Sequence, residues 1–237
     1  MVRSLLILTL GVLITAVYVV KIAFLSTFGD KGLFCGRCDV VARTWARRLL
    51  RLSDVRVVVE QAENLDTVGS CVIVANHESW FDVFALAGEL PLNVKFVGKQ
   101  ELAKIPVFGS TWQACGHVAI DRDDRESAIR SLGSIVERMK RGIVQVVMFP
   151  EGTRSADGEL QPFKKGPFML AIEAGVPIVP LAIIGSRAIM PKGSYNIGKG
   201  EVRVRIGEPI SASGMSYVDR DNLKRMSQEA VSELRDS

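Results

Sequence analysis

The chain has 237 residues, 48% of them hydrophobic, which is enough for one domain with a sizeable buried core. Its formal net charge of +4 is a small basic excess that suits an anionic surface such as a lipid bilayer. We expect no nucleic-acid partner, because no DNA- or RNA-binding motif is present and only 7% of the residues are aromatic.

The N-terminus is the most hydrophobic part of the chain. Residues 5–20 carry no charge, Lys21 interrupts, and residues 22–28 are again mostly apolar. As a helix the first run reaches only about 24 Å, but with the second run, and with Lys21 extended toward the interface, the segment matches a hydrocarbon core of about 30 Å. A cleaved signal peptide is the alternative. The long apolar run, with no clear A-x-A site after it, favours a retained membrane anchor.

A basic amphipathic helix is predicted next. From Phe34 to Leu52 apolar residues recur every three or four positions, while Arg43, Arg47 and Arg51 fall on the opposite side. This pattern favours a helix at the membrane interface with its arginines toward lipid phosphates. A helix packed on the domain with solvated arginines remains the alternative. We therefore assign residues 1–52 to a membrane-associated element and residues 53–237 to a separate globular domain.

Positive charges that follow an apolar run place the next domain on the cytoplasmic side of the membrane. The sequence therefore predicts a protein bound to the inner, cytoplasmic membrane, with residues 53–237 facing the cytoplasm.

Strand and helix signals alternate through the rest of the chain. Short apolar or β-rich runs predict strands at Val55–Glu60, Cys71–Ala75, 94–97, 117–120, 143–149, Ile178–Ile184 and 202–206. Helical periodicity and capping residues predict short helices from Lys99 and over 168–174. They predict longer helices from Asp123 or Asp124 to Gly142 and over 219–234. The alternation is typical of an α/β fold with a mostly parallel or mixed sheet flanked by helices.

A histidine and an aspartate follow the second predicted strand. Inside one regular helix His77 and Asp82 would point about 140° apart, but they can pair if His77 lies in the turn before a helix and Asp82 in its first turn. The imidazole could then take and return a proton, with the carboxylate fixing its tautomer. An ordinary structural contact is the alternative. The second histidine, His117, has no such carboxylate and is expected to be structural.

Other polar residues follow strands as well, and ligands in open α/β sheets gather at the carboxyl ends of strands. These residues are Lys99, Arg122, Glu151, Gly152, Thr153 and Arg154. Arg154 suits a bidentate grip on a phosphate group. Two structural alternatives remain, a Glu151–Arg154 ion pair across the turn and an Asp121–Arg122 pair at the surface. Lys164 and Lys165 are expected to be solvated.

Several other chemistries are disfavoured. Cys35 and Cys38 form a C-x-x-C pair without the βαβ context of a redox motif or the four ligands of a zinc site, so we interpret the cysteines as small apolar fillers and expect no metal. No G-x-S-x-G elbow, P-loop or G-x-G-x-x-G is present, which disfavours a serine hydrolase and the common nucleotide-binding folds.

Taken together, the motifs resemble those of the glycerolipid acyltransferases, most closely the bacterial 1-acyl-glycerol-3-phosphate acyltransferases. Residues 76–82 fit N-H-x-S-x-x-D, 149–155 fit F-P-E-G-T-R-S, and 176–180 fit V-P-I-V-P. Residues 116–122 resemble G-x-x-F-I-D-R, with Ala119 in place of the usual aromatic residue, and the segment from Lys99 to Pro106 is similar to K-x-E-L…I-P. The resemblance covers residues 55–184, about half of the chain.

The resemblance implies transfer of an acyl group from a thioester of coenzyme A or acyl carrier protein to the free hydroxyl of lysophosphatidate, giving phosphatidate. His77 would be the general base and Asp82 its orienting partner. The acceptor phosphate would be held by Lys99, Arg122 and Arg154, in a site shaped by Glu151, Gly152 and Thr153. The donor is a substrate, so no resident cofactor is expected. Two alternatives remain: another lysolipid acceptor, such as a lyso-ornithine lipid, and a catalytically silent membrane protein that binds anionic lipids.

Overall fold

A mixed sheet of seven strands, with helices on both faces, dominates the computed structural model, which describes residues 1–28 and 36–237. Phe34 and Cys35 lie outside the described residues, so the predicted start of the amphipathic helix and the C-x-x-C pair stay predictions. The other three cysteines, Cys38, Cys71 and Cys115, are buried.

The predicted strands are all confirmed. They are β1 (Val55–Glu60), β2 (Cys71–Ala75), β3 (Val94–Lys99), β4 (Val118–Ile120), β5 (Gln145–Met148), β6 (Ile178–Ile184) and β7 (Gly200–Ile206). The helices are α1 (Val2–Phe28), α2 (Gly36–Leu52), α3 (Trp80–Glu89), α4 (Gln100–Ala103), α5 (Phe108–Ala114), α6 (Arg125–Arg141), α7 (Gly166–Ala174), α8 (Ser186–Ile189) and α9 (Arg220–Asp236). Asp124 caps α6 as predicted, while α5 and α8 were not predicted because they are too short to show a clear helical period.

The strand order β1-β7-β6-β2-β5-β3-β4 explains how distant motifs meet. Every neighbouring pair is parallel except β6 and β7, which confirms the predicted α/β class with a mixed sheet. The carboxyl ends of β2, β5, β3 and β4 therefore meet at one edge of the sheet. The loops that begin at Asn76, Phe149, Gln100 and Asp121 all leave from this edge.

The core has two halves, one on each face of the sheet. Side chains of β2 alternate between them: Ile73 packs with the α2 and α3 side, and Val72 and Val74 pack with α6, α7 and α9. All five residues of β2 are fully buried, which explains why its sequence is continuously apolar rather than alternating.

Helix α1 is held against the domain along one side. The Arg3 guanidinium donates hydrogen bonds to the Ser53 and Ile197 carbonyls, at 2.8 and 2.6 Å, and the Trp45 indole donates to the Thr15 hydroxyl at 3.0 Å. The side facing away from the domain is apolar and exposed, with Leu5, Leu6, Val12, Leu13, Val17, Val20 and Phe24. Val2–Ser26 is long and apolar enough to cross a membrane, and this uncovered face indicates membrane association.

The prediction that the arginine side of α2 faces lipid phosphates is wrong for two of its three residues. Arg43 donates to the backbone carbonyls of Leu90 and Leu92, and Arg47 donates to the Gly88 carbonyl and binds the Glu89 carboxylate at 3.0–3.1 Å. Both arginines therefore satisfy carbonyls at the C-terminal end of α3, where a helix leaves its last carbonyls unpaired and favours positive charge. Only Arg51 of the three is exposed.

We predict that Arg43→Ala destabilises the protein more than Arg51→Ala does. Arg43 makes charged hydrogen bonds to half-buried carbonyls, so its loss should lower the free energy of unfolding by about 1–3 kcal/mol. The exposed Arg51 should matter by less than about 0.5 kcal/mol. Urea unfolding of both variants in one mild detergent, followed by circular dichroism, measures the difference. Equal effects would mean that the contacts to the end of α3 add nothing to stability.

Candidate active site

The His77–Asp82 pair has the placement that the sequence predicts. His77 lies in the loop after β2, and Asp82 lies in the first turn of α3, whose N-cap is Ser79. The Asp82 carboxylate receives the His77 Nδ1–H at 2.7 Å and the backbone N–H groups of Glu78 and Ser79 at 2.8 Å each, all on one oxygen, Oδ2. Asp82 is 0% exposed, so these donors replace the water that would otherwise solvate its charge.

The imidazole of His77 is held from two directions. Its Nδ1 is engaged by Asp82, and its ring stacks on Phe149 with 4.0 Å between centroids and 15° between planes. With Asp82 ionised, Nδ1 carries the hydrogen and Nε2 carries the lone pair. Since His77 and Phe149 both line one cavity, Nε2 is the nitrogen that can take a proton from a molecule bound there.

Glu151 lies behind the loop, away from the position that the resemblance implied. Its carboxylate accepts the backbone N–H of His77 at 2.6 Å and that of Gln161 at 2.9 Å, and its exposed fraction is 5%. Burial raises the pKa of Glu151 to about 7, although the two N–H donors oppose the shift. The carboxylate therefore holds the backbone at His77 and joins the loops after β2 and β5.

The cavity in front of His77 has a volume of about 440 Å³, within the usual range for small-molecule sites. Most of its wall is apolar and comes from helices α1, α2, α3 and α5 together with β3. The apolar wall includes Val19, Ile22, Ala42, Val83, Phe84, Ala87, Phe96 and Trp112. Such a wall suits an extended hydrocarbon group better than a polar one.

The predicted cations gather at this cavity. Lys99, Arg122 and Arg154 line it together with Gly152 and Thr153. The Arg154 guanidinium lies over the Trp80 ring, 5.2 Å from the ring centroid, and Arg122 donates to the Gly152 carbonyl. Lys99 is exposed and pairs with Glu101 at 2.6 Å.

The structural alternatives for these residues receive little support. Glu151 binds backbone amides and Arg154 covers an indole, so the predicted alternative of a Glu151–Arg154 ion pair is wrong. Asp121 likewise accepts the N–H groups of Asp123 and Asp124 instead of pairing with Arg122. These contacts leave both guanidiniums at the cavity.

Position 152 requires glycine because of its backbone conformation and because the side chain of Lys164 lies close to its Cα. Its φ is +78°, and a Cβ there would lie 2.8 Å from the Lys164 ammonium nitrogen. Lys164 is exposed, as predicted, but its side chain runs past Gly152 and adds a further cation beside Arg122. Lys165 pairs with Asp221 at 3.0 Å.

The structural interpretation of His117 is confirmed. Its Nδ1 accepts the backbone N–H of Phe96 at 3.0 Å, and its ring stacks on Trp112 with 5.2 Å between centroids. Burial, together with the nearby charges of Lys95 and Arg138, lowers the pKa of His117 to about 3, so the imidazole stays neutral. His117 can therefore fill the cavity wall without adding charge.

Sequence reasoning missed several residues that form the site. Thr15 and Tyr18 of α1 line the cavity, and so do Trp45 and Trp80. The available signal was the spacing of Thr15 and Tyr18, which stand three positions apart, and hence on one face, in a mostly apolar helix. Within residues 1–28 and 36–237, no group of three or more His, Cys, Asp or Glu side chains is arranged to hold a metal ion.

The family follows from comparison with known proteins. A family model described as Acyltransferase matches residues 56–184, more than half of the chain. The chain therefore belongs to the acyltransferase family. The matched range contains the His77–Asp82 pair and the predicted cations Lys99, Arg122 and Arg154.

Individual relatives narrow the comparison. The chain is 42% identical over 157 residues to the chloroplastic 1-acyl-sn-glycerol-3-phosphate acyltransferase BAT2 of Brassica napus, covering 65% of this chain and 45% of that protein. It is 35% identical over 166 residues to the 1-acyl-sn-glycerol-3-phosphate acyltransferase of Salmonella typhimurium, covering 70% of this chain and 67% of that one. The chain thus spans less than half the length of the plant relative and two thirds of the bacterial one.

A solved structure extends the likeness to the whole chain. The crystal structure of the 1-acyl-sn-glycerophosphate (LPA) acyltransferase PlsC from Thermotoga maritima matches with a TM-score of 0.78 and 29% identity. The match covers 98% of this chain and 96% of that one, so it includes the two N-terminal helices as well as the sheet.

We predict that Glu151→Gln changes stability in a pH-dependent way. The folded pKa of about 7 lies above the ordinary value of 4.5, so the wild-type carboxyl stabilises the fold most at low pH and loses that contribution as the pH rises through about 7. The free energy of unfolding of the variant, minus that of wild type, should therefore increase between pH 4.5 and 8. The increase should be up to about 3 kcal/mol, since one pKa unit corresponds to about 1.4 kcal/mol.

Urea unfolding at several pH values measures this difference. A constant loss is expected on top of it, because the amide oxygen of glutamine can accept only one of the two N–H groups well. Glu159→Gln, at an exposed carboxylate of the same loop, is the matched control. A difference between Glu151→Gln and wild type that stays constant with pH would contradict the raised pKa.

Proposed function

We propose that the chain transfers an acyl group from an acyl thioester to the free hydroxyl of lysophosphatidate, forming phosphatidate. The observation that carries the proposal is the position of the His77–Asp82 pair, which lines an apolar cavity together with Lys99, Arg122 and Arg154. A proton acceptor, a site for a hydrocarbon chain and a site for a phosphate thus lie together. The names of the relatives support this acceptor and this reaction.

His77 is the general base of the proposed reaction. Its Nε2 removes the proton of the acceptor hydroxyl, and the oxygen attacks the thioester carbonyl. Asp82 holds the ring in the required tautomer and stabilises the imidazolium that forms. The imidazolium then protonates the departing thiolate. General base catalysis of this kind supplies about 10²–10⁴-fold in rate, and positioning of the two substrates supplies much of the rest.

The two substrates occupy different parts of the site. The acyl chain of the donor, carried by coenzyme A or acyl carrier protein, enters the apolar cavity between α1, α3 and α5, where it is removed from water. The acceptor phosphate lies at the cations, and Arg122, Arg154 and Lys99 supply its donors. Because Arg154 is already oriented by the Trp80 ring, its planar fork loses little further freedom on binding.

The bilayer is the proposed source of the acceptor. Helix α1 exposes an apolar face while Thr15, Tyr18, Val19 and Ile22 of the same helix line the cavity. We infer that α1 inserts this face into the cytoplasmic leaflet of the inner membrane, and that the domain beyond residue 52 stays on the cytoplasmic side. The hydrogen bonds of Arg3 and Trp45 support insertion beside the domain over a separate spanning anchor.

An acceptor panel tests the proposal. Purified full-length protein in mixed vesicles is given acyl-CoA or acyl-ACP with lysophosphatidate, a lysophospholipid, or a lyso-ornithine lipid, and products are read by mass spectrometry together with thiol release. Phosphatidate formed only with lysophosphatidate is the expected result. Transfer only to another lysolipid would replace the acceptor assignment. If no acceptor produces thiol release, the result would favour a protein that binds lipids without catalysis.

His77→Ala and Asp82→Asn should both lose turnover while the protein stays folded. We expect the rate of phosphatidate formation to fall by about 10²–10⁴-fold in His77→Ala, because the proton acceptor is removed. Asp66→Asn, at an exposed carboxylate away from the cavity, is the control. Near-normal turnover of a His77→Ala variant with a native circular dichroism spectrum would refute the assignment of the base.

Arg154→Lys should behave as a non-conservative change. The lysine keeps the charge but loses the planar fork and its fixed position over Trp80. We expect a KM for lysophosphatidate that is raised about tenfold, equivalent to about 1.4 kcal/mol, and little change in the KM for the acyl donor. Arg56→Lys, at an exposed position on β1, is the control. A defect confined to the donor KM would mean that Arg154 binds the acyl donor and not the acceptor phosphate.

A further inference from the structure

Three carboxylates lie buried behind the loop after β2 that carries His77, which we call the catalytic loop. Asp82, Glu151 and Glu78 are 0%, 5% and 8% exposed. Asp82 Oδ2 accepts hydrogen bonds from the His77 ring and from two backbone N–H groups of the loop, and each Glu151 oxygen accepts one backbone N–H, while Asp82 Oδ1 has no partner among the described residues. Glu78 differs: its side chain receives the Asn76 amide at 3.2 Å and faces a guanidinium from the end of the chain.

That guanidinium belongs to Arg235, in the last turn of α9. Its Nη2 lies 3.4 Å from the Glu78 carboxylate and donates to the Gly158 carbonyl at 2.5 Å. In sequence, Gly158 lies between Glu151 and Gln161. The backbone N–H of Gln161 is one of the two donors to the Glu151 carboxylate. Arg235 therefore contacts both loops that meet at His77, one through Glu78 and the other through Gly158.

The end of α9 is itself fixed in place. Arg205 of β7 donates to the Leu234 carbonyl at 3.1 Å and pairs with Glu60 of β1 at 2.7 Å. The side chain of Arg235 is 23% exposed, so its charge is only partly screened by water. The guanidinium is thus held at the rear of the active site by the sheet.

Few other cations face this side of the loop. Glu78 and Arg235 line a surface cleft whose remaining charged groups are Asp157, Glu159, Arg187 and Asp236. Arg187 of α8 donates to the Ala156 carbonyl at 3.1 Å, and Asp157 accepts the Ser155 hydroxyl and the Glu159 N–H. Within the cleft, carboxylates outnumber guanidiniums, and Arg235 is the guanidinium in contact with Glu78.

We propose that Arg235 is a positioning residue for the catalytic loop: its guanidinium contacts Glu78 and the Gly158 carbonyl from behind, and so preserves the arrangement of Glu78 and Glu151 that holds the backbone at His77. The inference rests on the proposed function, in which His77 is the general base. Arg235 contacts neither His77 nor the cavity in front of it, and acts through Glu78 and Glu151.

The electrostatics give the direction of the effect. Burial raises the pKa of both Glu78 and Glu151, and the charge of Arg235 opposes the rise in each case. Asp82 raises the pKa of Glu78 further, Arg187 lowers it, and the charge of Glu78 in turn raises the pKa of Glu151. Loss of Arg235 therefore favours a proton on Glu151 near neutral pH. A proton converts one acceptor oxygen into a hydroxyl, so one of the two amides, His77 or Gln161, loses its partner.

The test is the pH dependence of kcat/KM for acyl transfer by the full-length protein. Arg235→Gln should shift the acidic limb of the profile to higher pH by about half to one pH unit. Arg235→Lys keeps the charge and should restore the wild-type limb. Glu78→Gln should move the limb the other way, and the Glu78→Gln/Arg235→Gln double variant should return toward wild type, because the two charges act on Glu151 with opposite sign.

A purely structural role predicts a different pattern. If Arg235 only ties α9 to the Gly158 loop, Arg235→Gln lowers the melting temperature without moving the limb, and this result would overturn the proposal. A double variant whose limb stays at the Arg235→Gln position would also overturn it, because Glu78 would then exert no charge effect on Glu151. Arg225→Gln, at an exposed arginine of the same helix that pairs with Glu229, is the matched control. Should Arg235→Gln fail to fold, the Arg235→Lys and Glu78→Gln variants decide the question.

Unfolding measured against pH separates this inference from the proposed function. Because Arg235→Gln raises the folded pKa of both carboxyls, its free energy of unfolding should fall relative to wild type as the pH rises through the range where they ionise. This readout needs no substrate. A wild-type protein without transferase activity would refute the proposed function, whereas an active protein whose acidic limb is unchanged by Arg235→Gln would refute this inference alone.

Discussion

One oxygen of a buried carboxylate connects the fold to the site. Asp82 Oδ2 accepts the N–H groups at the start of α3 and the Nδ1–H of His77, so helix capping and imidazole orientation depend on the same atom. Burial makes the arrangement demanding, since an ionised carboxylate without these donors would be costly at 0% exposure. The local turn that begins α3 and the proton acceptor of the proposed reaction are therefore formed together.

The parallel strands supply the second constraint. They bring the loops after β2 and β5 to one edge of the sheet, and Glu151 joins those loops through two amides. The result is a group of carboxylates that support His77 from behind while the cations Lys99, Arg122 and Arg154 lie at the cavity in front. The three cations at the cavity are thus separate from the carboxylates that hold the His77 loop.

The N-terminal helices contribute to the domain and to its surroundings at once. Helix α1 gives one side to the cavity and leaves its other side apolar and uncovered. Helix α2 is joined to the end of α3 by Arg43 and Arg47, so movement of the two N-terminal helices away from the domain would break polar contacts as well as apolar ones. An apolar surface that indicates membrane association therefore adjoins a hydrocarbon-lined site within one packed unit.

Local patterns in the sequence determined the strands, the α/β class and the placement of His77 before a helix that begins with Asp82. Strand patterns and helix caps depend on residues within a few positions of one another, which explains this success. Partners distant in sequence were decided by the tertiary structure. Arg43 meets a carbonyl 47 residues away, Glu151 meets an amide 74 residues away, and Arg235 meets Glu78 across 157 residues. A charged side chain on a helix is compatible with solvent, lipid phosphate or a buried partner, and the packing of the sheet and helices selects among them.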